Sequence, residues 1–262
     1  MNSAGRTVSF TREGCLGVVT LNNPPLNKIG AALIADLVRA ISDVEESAGL
    51  RAVVIRGEGD VFSAGADVAL FSGLGAEQMR PLVDSFLRLG SRIEALPFPT
   101  LAAVHGTCIA GSLELALFCD LIWAAEGTTL GLPETTLGIV PLAGGVERVA
   151  ARAGVGRART IALAGGSHTA EEFAAWGVID RVLPAVDLHQ KAERFALRLA
   201  DGPTLAYAAV KELTRTYTQG GVAAADALLL ETAVGLFDTA DARNGIQSYL
   251  DSGPGHSTFI GS

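Results

Sequence analysis

The stretch that decides the fold is Leu101-Ala-Ala-Val-His-Gly106, followed shortly by Ala110-Gly-Ser-Leu-Glu-Leu-Ala-Leu-Phe-Cys-Asp120. An apolar strand ends there in a turn, and the chain then enters a short helix that carries Glu114. A second glutamate, Glu134, follows Pro133 in the next apolar segment. An unpaired buried carboxylate is unfavourable, and burial raises its pKa toward the range that suits acid–base catalysis near neutral pH. The two glutamates therefore predict a proton-transfer site if the fold brings them together.

The composition is that of a globular chain with one sizeable core. The 262 residues are 49% hydrophobic and 18% charged, which argues against intrinsic disorder. The net charge of -8 provides no basic field, so we expect no nucleic-acid partner and no anionic membrane surface. Met1-Asn-Ser-Ala-Gly-Arg6 has no apolar signal core, and no uncharged run reaches the roughly 18 residues that a spanning helix needs. These features predict a soluble, cytoplasmic protein.

Hydrophobic periodicity predicts strands that alternate with helices over the first half of the chain. Apolar runs predict strands at 8–11, 16–21, 51–57, 100–104 and 121–125, with a turn at 12–14. Helical spacing predicts helices at 31–46, 76–96 and 112–118. From residue 146 onward helical patterns dominate, at 146–153, 156–163, 170–176, 187–200, 204–217 and 222–235. The pattern indicates an α/β core with a helical C-terminal region.

The predicted boundary lies near residue 200, where Asp201-Gly-Pro203 interrupts the helical pattern. We assign residues 1–200 to the core and residues 201–262 to a helical region that packs at a subunit interface.

Common catalytic and metal-binding motifs are missing from the sequence. It contains neither G-x-G-x-x-G nor G-x-x-x-x-G-K-[S/T], and Val61 stands where a nucleophile elbow around Ser63 needs glycine. The histidines are dispersed and are expected at the surface or as helix caps rather than as metal ligands; they are His105, His168, His189 and His256. The cysteines are odd in number and lack metal spacing. Because Cys108 and Cys119 lie in apolar runs, we expect packed, reduced thiols and a reducing compartment.

Three pieces, in order and spacing, resemble the enoyl-CoA hydratase/isomerase (crotonase) superfamily. They are Phe62-Ser-Ala-Gly-Ala-Asp67, then Ala110-Gly-Ser-Leu-Glu-Leu-Ala116 with Cys119-Asp120, then Pro133-Glu-Thr-Thr-Leu-Gly-Ile-Val-Pro141 with Gly144-Gly145. Softer similarity runs from Leu21 to Phe259. The resemblance implies a spiral of ββα repeats, trimers that pair into hexamers, and a coenzyme A thioester as substrate with no separate cofactor. It also implies fatty-acid or related acyl-CoA degradation.

The resemblance assigns an oxyanion hole to the backbone N–H groups of Ala66 and Gly111. Gly111 immediately precedes the predicted short helix, so its N–H points along the positive end of the helix dipole, and Ala66 lies in a loop of small residues. Two such donors stabilise an enolate oxygen, and one of them typically lowers the barrier by roughly 3–4 kcal/mol. The alternative is that Gly65 and Gly111 only permit tight turns. Substrate binding is assigned to Ala64, Asp67, Val68, Leu137 and Leu142.

The two glutamates distinguish between the reactions of the superfamily. Its hydratases resemble this chain in having glutamate at both positions, whereas many isomerases keep only the one that matches Glu134. We expect Glu114 to activate water and Glu134 to donate a proton to Cα, or the coupled pair to share both roles. The structural alternatives are a backbone-bonded Glu114 and a Glu134 that only favours a helix start.

Three other functions stay open. An isomerase or an acyl-CoA hydrolase could use the same oxyanion hole, and a degenerate member could bind acyl-CoA without turnover. RNA binding is disfavoured by the negative charge.

The chain departs from the superfamily pattern at positions that bear on substrate identity. Leu142 stands where many members have a small residue, and Val146-Glu147 replaces Thr-Gln. Basic residues usual after Asp67 and around Phe259 are missing. Lys28, Arg6 or an arginine of a neighbouring subunit are the candidates to bind the coenzyme A phosphates in their place.

Overall fold

The two β-sheets of the protein are described by a computed structural model that covers residues 5–262. Their strands are β1 (Val8–Glu13), β2 (Leu16–Leu21), β3 (Ala52–Gly57), β4 (Thr100–Val104), β5 (Thr107–Ile109), β6 (Leu121–Ala125), β7 (Thr129–Gly131), β8 (His168–Thr169) and β9 (Arg181–Leu183). The larger sheet has six strands in the order β1-β2-β3-β4-β6-β9, and within it only the β1–β2 pair is antiparallel. Residues 1–4, which belong to the N-terminal segment in which the sequence shows no apolar signal core, lie outside the described residues.

The chain winds from the large sheet into a second layer and then into a helix, and this path repeats. Strands β5, β7 and β8 form the second sheet, and β5 and β7 follow β4 and β6 after short turns. An isolated bridge joins Ser63 to Cys108 of β5, and another joins Ile29 to Ala66. Successive turns of the chain therefore lie side by side in the second layer. This is the predicted spiral of ββα units, and it brings residues 63–66 next to the segment before Gly111.

Nine α-helices complete the described part of the chain. They are α1 (Ala31–Glu46), α2 (Ala76–Glu94), α3 (Gly111–Leu117), α4 (Gly145–Ala153), α5 (Val155–Ala164), α6 (Ala170–Ala175), α7 (Ala185–Ala200), α8 (Thr204–Leu236) and α9 (Ala240–Ser252). Two short 3-10 helices span Val68–Phe71 and Glu134–Leu137. Helix α8 is interrupted at Gly221, whose φ of 72° is non-helical, which accounts for the two separate helices that periodicity predicts there.

The large sheet is buried on both faces, which explains its near-continuous apolar strands. On one face Val53 and Ile55 pack in a cluster with Leu37 of α1 and Leu89 of α2. On the other face Val54, Leu101 and Trp123 pack with Leu188 and Ala196 of α7.

The sequence-based assignments were wrong where strands are short. Strands β5, β7, β8 and β9 have only two or three residues, too few for a period of two to be detected. The region after residue 146 is therefore not purely helical, because it contains β8 and β9. Strand β1 also continues to Glu13, so its turn lies at Gly14-Cys15 rather than at 12–14.

Polar bonds of Arg51 and Lys211 join the helical C-terminal region to the core; Arg51 donates to Thr204 and to the carbonyls of Gly202 and Phe259. Lys211 of α8 donates to Asp120 Oδ2 over 2.7 Å and to the Phe98 carbonyl over 2.9 Å. Helix α8 has no buried residue. Within residues 5–262 no single helix is both long and apolar enough to cross a membrane, although α8 and α9 taken together, bent by 72°, meet that test.

Candidate active site

An apolar cavity of about 150 Å³ lies where the second layer meets α2 and α3. Leu82, Val83 and Phe86 of α2 form part of its wall, and Gly111 lies at the start of α3. Among its described lining residues, only two carry polar side chains, and these are Glu114 and Glu134. The fold thus brings together both glutamates that the sequence singles out.

Glu114 is held in one orientation by the chain segment before α4. Its side chain is 1% exposed, and its Oε1 accepts the N–H of Ala143 over 2.7 Å and that of Gly145 over 2.9 Å. Burial raises the pKa of Glu114, while these N–H bonds and the N–H of Leu142 oppose the rise because they stabilise the carboxylate. Both of these bonds end on Oε1, so Oε2 is the less restrained oxygen of the carboxylate.

Glu134 has a different environment, although its burial is similar. It opens the 3-10 helix after Pro133 and is 6% exposed. Its Oε2 is buried and has no hydrogen-bond partner in the described chain. Burial raises the pKa of Glu134 to about 7; the Glu114 charge adds to the rise, and the Glu134 backbone N–H opposes it. Near neutral pH this carboxyl group can therefore either donate or accept a proton.

Two backbone N–H groups face the cavity without a protein acceptor. Ile29 N–H donates to the Gly65 carbonyl over 2.8 Å, and Asp67 N–H donates to the Ile29 carbonyl over 3.0 Å. Because N–H directions alternate along extended backbone, the Ala66 N–H points to the opposite side, and Ala66 lines the cavity. Gly111 is the first residue of α3, so its N–H lacks an acceptor within the helix. Neither N–H donates to any residue of the described chain.

The backbone before Gly111 is strained. Ala110 has φ 53° and ψ −134°, a conformation that alanine rarely adopts. Its own N–H donates to the Gly131 carbonyl over 2.9 Å, and its carbonyl accepts the Glu114 N–H over 3.1 Å. Strain of this kind costs about 1–3 kcal/mol and is concentrated at functional sites. Here it occurs at the residue before Gly111, and both Ala110 and Gly111 line the cavity.

Two serines, whose roles the sequence does not reveal, cross-link the loops that carry Ala66 and Gly111. Ser112 Oγ lies 2.8 Å from the Ser63 carbonyl and 2.7 Å from the Ile109 carbonyl. Ser63 Oγ donates to the Asn27 carbonyl over 2.7 Å and accepts the Gly65 N–H over 3.1 Å. A Cβ at Gly65 would lie 2.6 Å from the Ile109 carbonyl oxygen, so only glycine permits this close approach. The only hint of this role in the sequence is the polar hydroxyl of Ser112, the third residue of the small-residue run Ala110-Gly111-Ser112.

The residues assigned to substrate binding do not all reach the cavity. Ala64, Val68, Leu137 and Leu142 line it. Asp67 is not among the lining residues of the described chain, because its carboxylate points to Lys28, whose Nζ lies 3.4 Å away. Lys28 itself precedes the lining residue Ile29 and is half exposed.

The cysteines and histidines lie elsewhere in the fold. Cys108 and Cys119 are buried, as expected, and burial raises the pKa of the Cys119 thiol to about 12. His105 and His189 are half-buried; their rings pack against each other with centroids 5.0 Å apart, and each Nδ1 is buried. Within residues 5–262 no group of three or more potential ligands could hold a metal ion.

The fold and the paired carboxyl groups define an α/β spiral protein of the crotonase type. A sequence model described as "Enoyl-CoA hydratase/isomerase" matches residues 11–257. A "Probable enoyl-CoA hydratase" of Bacillus subtilis is 32% identical over 249 residues, covering 93% of this chain and 95% of the relative. A protein of the same description from Rhodobacter capsulatus is also 32% identical, covering 96% and 98%.

Solved structures agree with the sequence comparisons. The crystal structure of an enoyl-CoA hydratase from Bacillus anthracis superposes with a TM-score of 0.91 at 30% identity, covering 98% of this chain and all of that one. The chain belongs to the enoyl-CoA hydratase/isomerase family and has the crotonase fold.

Proposed function

We propose that this protein is an enoyl-CoA hydratase, which adds water to a trans-2-enoyl-CoA to give a 3-hydroxyacyl-CoA, in fatty-acid or related acyl-CoA degradation. The observation that carries the proposal is one apolar cavity that holds Glu114, Glu134 and two unpaired backbone N–H groups. The relatives described as enoyl-CoA hydratases support it.

The N–H groups of Ala66 and Gly111 act on the thioester oxygen. Both donate to it, withdraw electron density from the conjugated double bond, and so make Cβ electrophilic. As hydroxide adds to Cβ, negative charge accumulates on this oxygen as an enolate. Fixed donors in a water-poor cavity stabilise that charge by more than they stabilise the neutral carbonyl.

The two carboxyl groups divide the proton transfers. Oε1 of Glu114 is occupied by the Ala143 and Gly145 N–H groups, so Oε2 accepts a proton as the water oxygen bonds to Cβ. Glu134, with a pKa near 7, donates its proton to Cα. The enolate collapses to the thioester, and the net change is one water added. The proton on Glu114 then passes to Glu134, either directly or by release to solvent and uptake of a solvent proton by Glu134, which restores the starting state.

The rest of the cavity fits an apolar acyl chain. Val68, Phe71 and Leu82 offer hydrocarbon surface and no polar partner, so a chain with polar substituents would lose hydrogen bonds with water on entry.

The test is hydration of crotonyl-CoA, followed as loss of the conjugated thioester absorbance. Glu114→Gln and Glu134→Gln should each reduce kcat by about 100- to 10,000-fold, the usual contribution of a general acid or base. Glu126→Gln, at an exposed position, is the matched control and should retain parental activity. Activity that survives both active-site substitutions would reject the site.

A protein that leaves crotonyl-CoA unchanged but shifts the double bond of a 3-enoyl-CoA would instead be an isomerase. Release of free coenzyme A would identify a hydrolase, and tight acyl-CoA binding without any product would identify a non-catalytic member.

We further propose that the chain forms a homotrimer or a dimer of trimers through the 201–262 region. The exposed apolar side chains there support an interface; they include Val210, Val222, Leu230 and Val234 of α8, Phe237 directly after it, and Ile246, Tyr249 and Leu250 of α9. An unpartnered apolar surface of this kind is unusual for a monomer.

A further inference from the structure

Arg148 lies on α4, one turn after the N–H groups that hold Glu114, and it is bound by the end of α2. Its guanidinium donates to both carboxylate oxygens of Glu94, over 2.7 and 3.0 Å. Glu94 is the last residue of α2. The side chains of Arg148 and Glu94 are half-buried, at 20% and 34% exposure, and a bidentate pair of this kind fixes the plane of the guanidinium.

The same guanidinium binds the turn that precedes α4. Arg148 Nη1 donates to the carbonyl oxygens of Ala143 and Gly144, each over 3.2 Å. Gly144 has a left-handed φ of 87°, and a Cβ there would collide with Arg148 Nη1. The Phe118 ring, which follows α3, lies 4.8 Å from Arg148 Cζ. Arg148 therefore joins the end of α2, the end of α3 and the turn before α4.

This turn is also the one that binds Glu114. The Gly144 carbonyl and the Gly145 N–H belong to one peptide plane, and that N–H donates to Glu114 Oε1 over 2.9 Å. A peptide plane held at its oxygen by a cation has a fixed N–H direction, and the amide is polarised so that its N–H becomes a stronger donor.

We propose that Arg148, oriented by Glu94, is a positioning residue that fixes the carboxylate of Glu114 through the 143–145 backbone. Its catalytic consequence rests on the proposed hydratase function. Without this clamp the 144–145 peptide plane can turn, the Gly145 N–H bond to Oε1 weakens, and the Glu114 carboxylate is no longer held in one orientation. The weakened bond would also stabilise the carboxylate less, so the pKa of Glu114 would rise further.

The activity test compares Arg148→Met, Arg148→Lys and Glu94→Gln on crotonyl-CoA. Arg148→Met should lower kcat by about 10- to 100-fold with KM changed by less than about threefold, because a misplaced catalytic group affects the transition state more than binding. The acid limb of the kcat profile, where Glu114 must be ionised, should move up by about one pH unit. Arg148→Lys keeps the charge without the planar fork and should recover only part of kcat.

Arg152→Met is the matched control. Arg152 lies on the same helix, is equally exposed, and donates to the Cys119 and Asp120 carbonyls, but it contacts neither Glu94 nor the 143–145 turn. It should lose stability comparably and leave the acid limb unchanged. An acid limb in Arg148→Met that matches Arg152→Met would overturn the proposal.

A second readout separates this proposal from the hydratase proposal. The carboxyl band of Glu114, assigned by its absence in Glu114→Gln, is titrated by infrared difference spectroscopy in the parent and in Arg148→Met. A raised midpoint in Arg148→Met supports the positioning role even if no enoyl-CoA is hydrated. An unchanged midpoint overturns it even if hydration is fast.

Discussion

Gly145 donates its backbone N–H to Glu114 Oε1 over 2.9 Å, so the first residue of α4 binds a side chain of α3. Glycine allows this close approach, because a Cβ at position 145 would lie 3.0 Å from Glu114 Cγ and 3.2 Å from Oε1 and would push the Glu114 side chain away by a few tenths of an ångström. The positive end of the α4 dipole also favours the ionised carboxylate.

Gly145→Ala should therefore displace the Glu114 side chain and lower kcat by about 10- to 100-fold, with a smaller effect on KM. Gly156→Ala is the control, because a Cβ there meets nothing within 4 Å in helix α5. It should keep parental kcat and gain roughly 0.5–1 kcal/mol of stability. The measurement is steady-state hydration of crotonyl-CoA with thermal unfolding, and parental kcat in Gly145→Ala would contradict the packing argument.

Because Glu134 has a pKa of about 7, replacing it by an uncharged residue should increase stability but decrease activity. In the unfolded chain this carboxyl group ionises near 4.5, so between pH 4.5 and 7 folding requires it to bind a proton. Below pH 4.5 the carboxyl group is neutral in both the folded and the unfolded chain, so it does not lower stability. As pH rises from 4.5 to about 7, the free energy of unfolding decreases, because the unfolded chain releases this proton and the folded chain keeps it. Glu134→Gln should thus raise Tm at pH 8 by several degrees, since each kcal/mol of added stability corresponds to about 2–4 °C. The same substitution should lower kcat by about 100- to 10,000-fold. Equal Tm values for the parent and Glu134→Gln at pH 8 would show that the ionised Glu134 carboxylate does not destabilise the fold.

Ser112 is expected to stabilise both the fold and the geometry of the two N–H donors. Ser112→Ala leaves the buried Ser63 and Ile109 carbonyls without this donor, which should lower the free energy of unfolding by roughly 1–3 kcal/mol. We also expect kcat/KM to fall several-fold, because the loops carrying Ala66 and Gly111 lose a cross-link. The control is Ser91→Ala, since Ser91 is exposed and bonds only its own helix. The measurements are the free energy of unfolding in urea and the initial rate of hydration. Equal changes of both quantities in Ser112→Ala and Ser91→Ala would refute the role of Ser112 as a cross-link.

His189 should make the fold sensitive to acid. Burial and, to a smaller extent, the neighbouring His105 and Arg56 together lower the pKa of His189 to about 4. The unfolded chain binds this proton near 6.5 and the folded chain does not, so stability falls as pH drops from about 6.5 to 4. The charged Glu193 lies one turn away on α7 but is paired with Arg56 over 2.9 Å. His189→Gln should flatten the dependence of Tm on pH across this window, whereas His256→Gln, at an exposed position, should not.

The limits of sequence reasoning are visible in particular elements. Helix α1 has the predicted bounds, because its apolar spacing is regular and its packing agrees with its pattern. Strand β8 escaped prediction, because two residues carry no period. Glu114 and Glu134 could be singled out as costly charges in apolar runs. Arg148 could not, because its role arises from contacts with Glu94, 54 positions earlier in the chain. A tertiary contact of that kind leaves no local pattern.

The assembly proposal makes the last prediction, because it concerns a surface outside the cavity. If copies of the chain associate through α8 and α9, a charge at Leu230 or Phe237 would have to be buried without a partner in the interface. Leu230→Asp and Phe237→Asp should then shift the protein to smaller species in sedimentation velocity at a concentration where the parent is trimeric or hexameric. Val186→Asp is the control, since Val186 is exposed and apolar but lies on α7, outside the 201–262 region. A monomeric parent would contradict the proposal directly. Parental assembly in both the Leu230 and the Phe237 variant would place the interface elsewhere, because an unpaired carboxylate at its centre should weaken association by several kcal/mol.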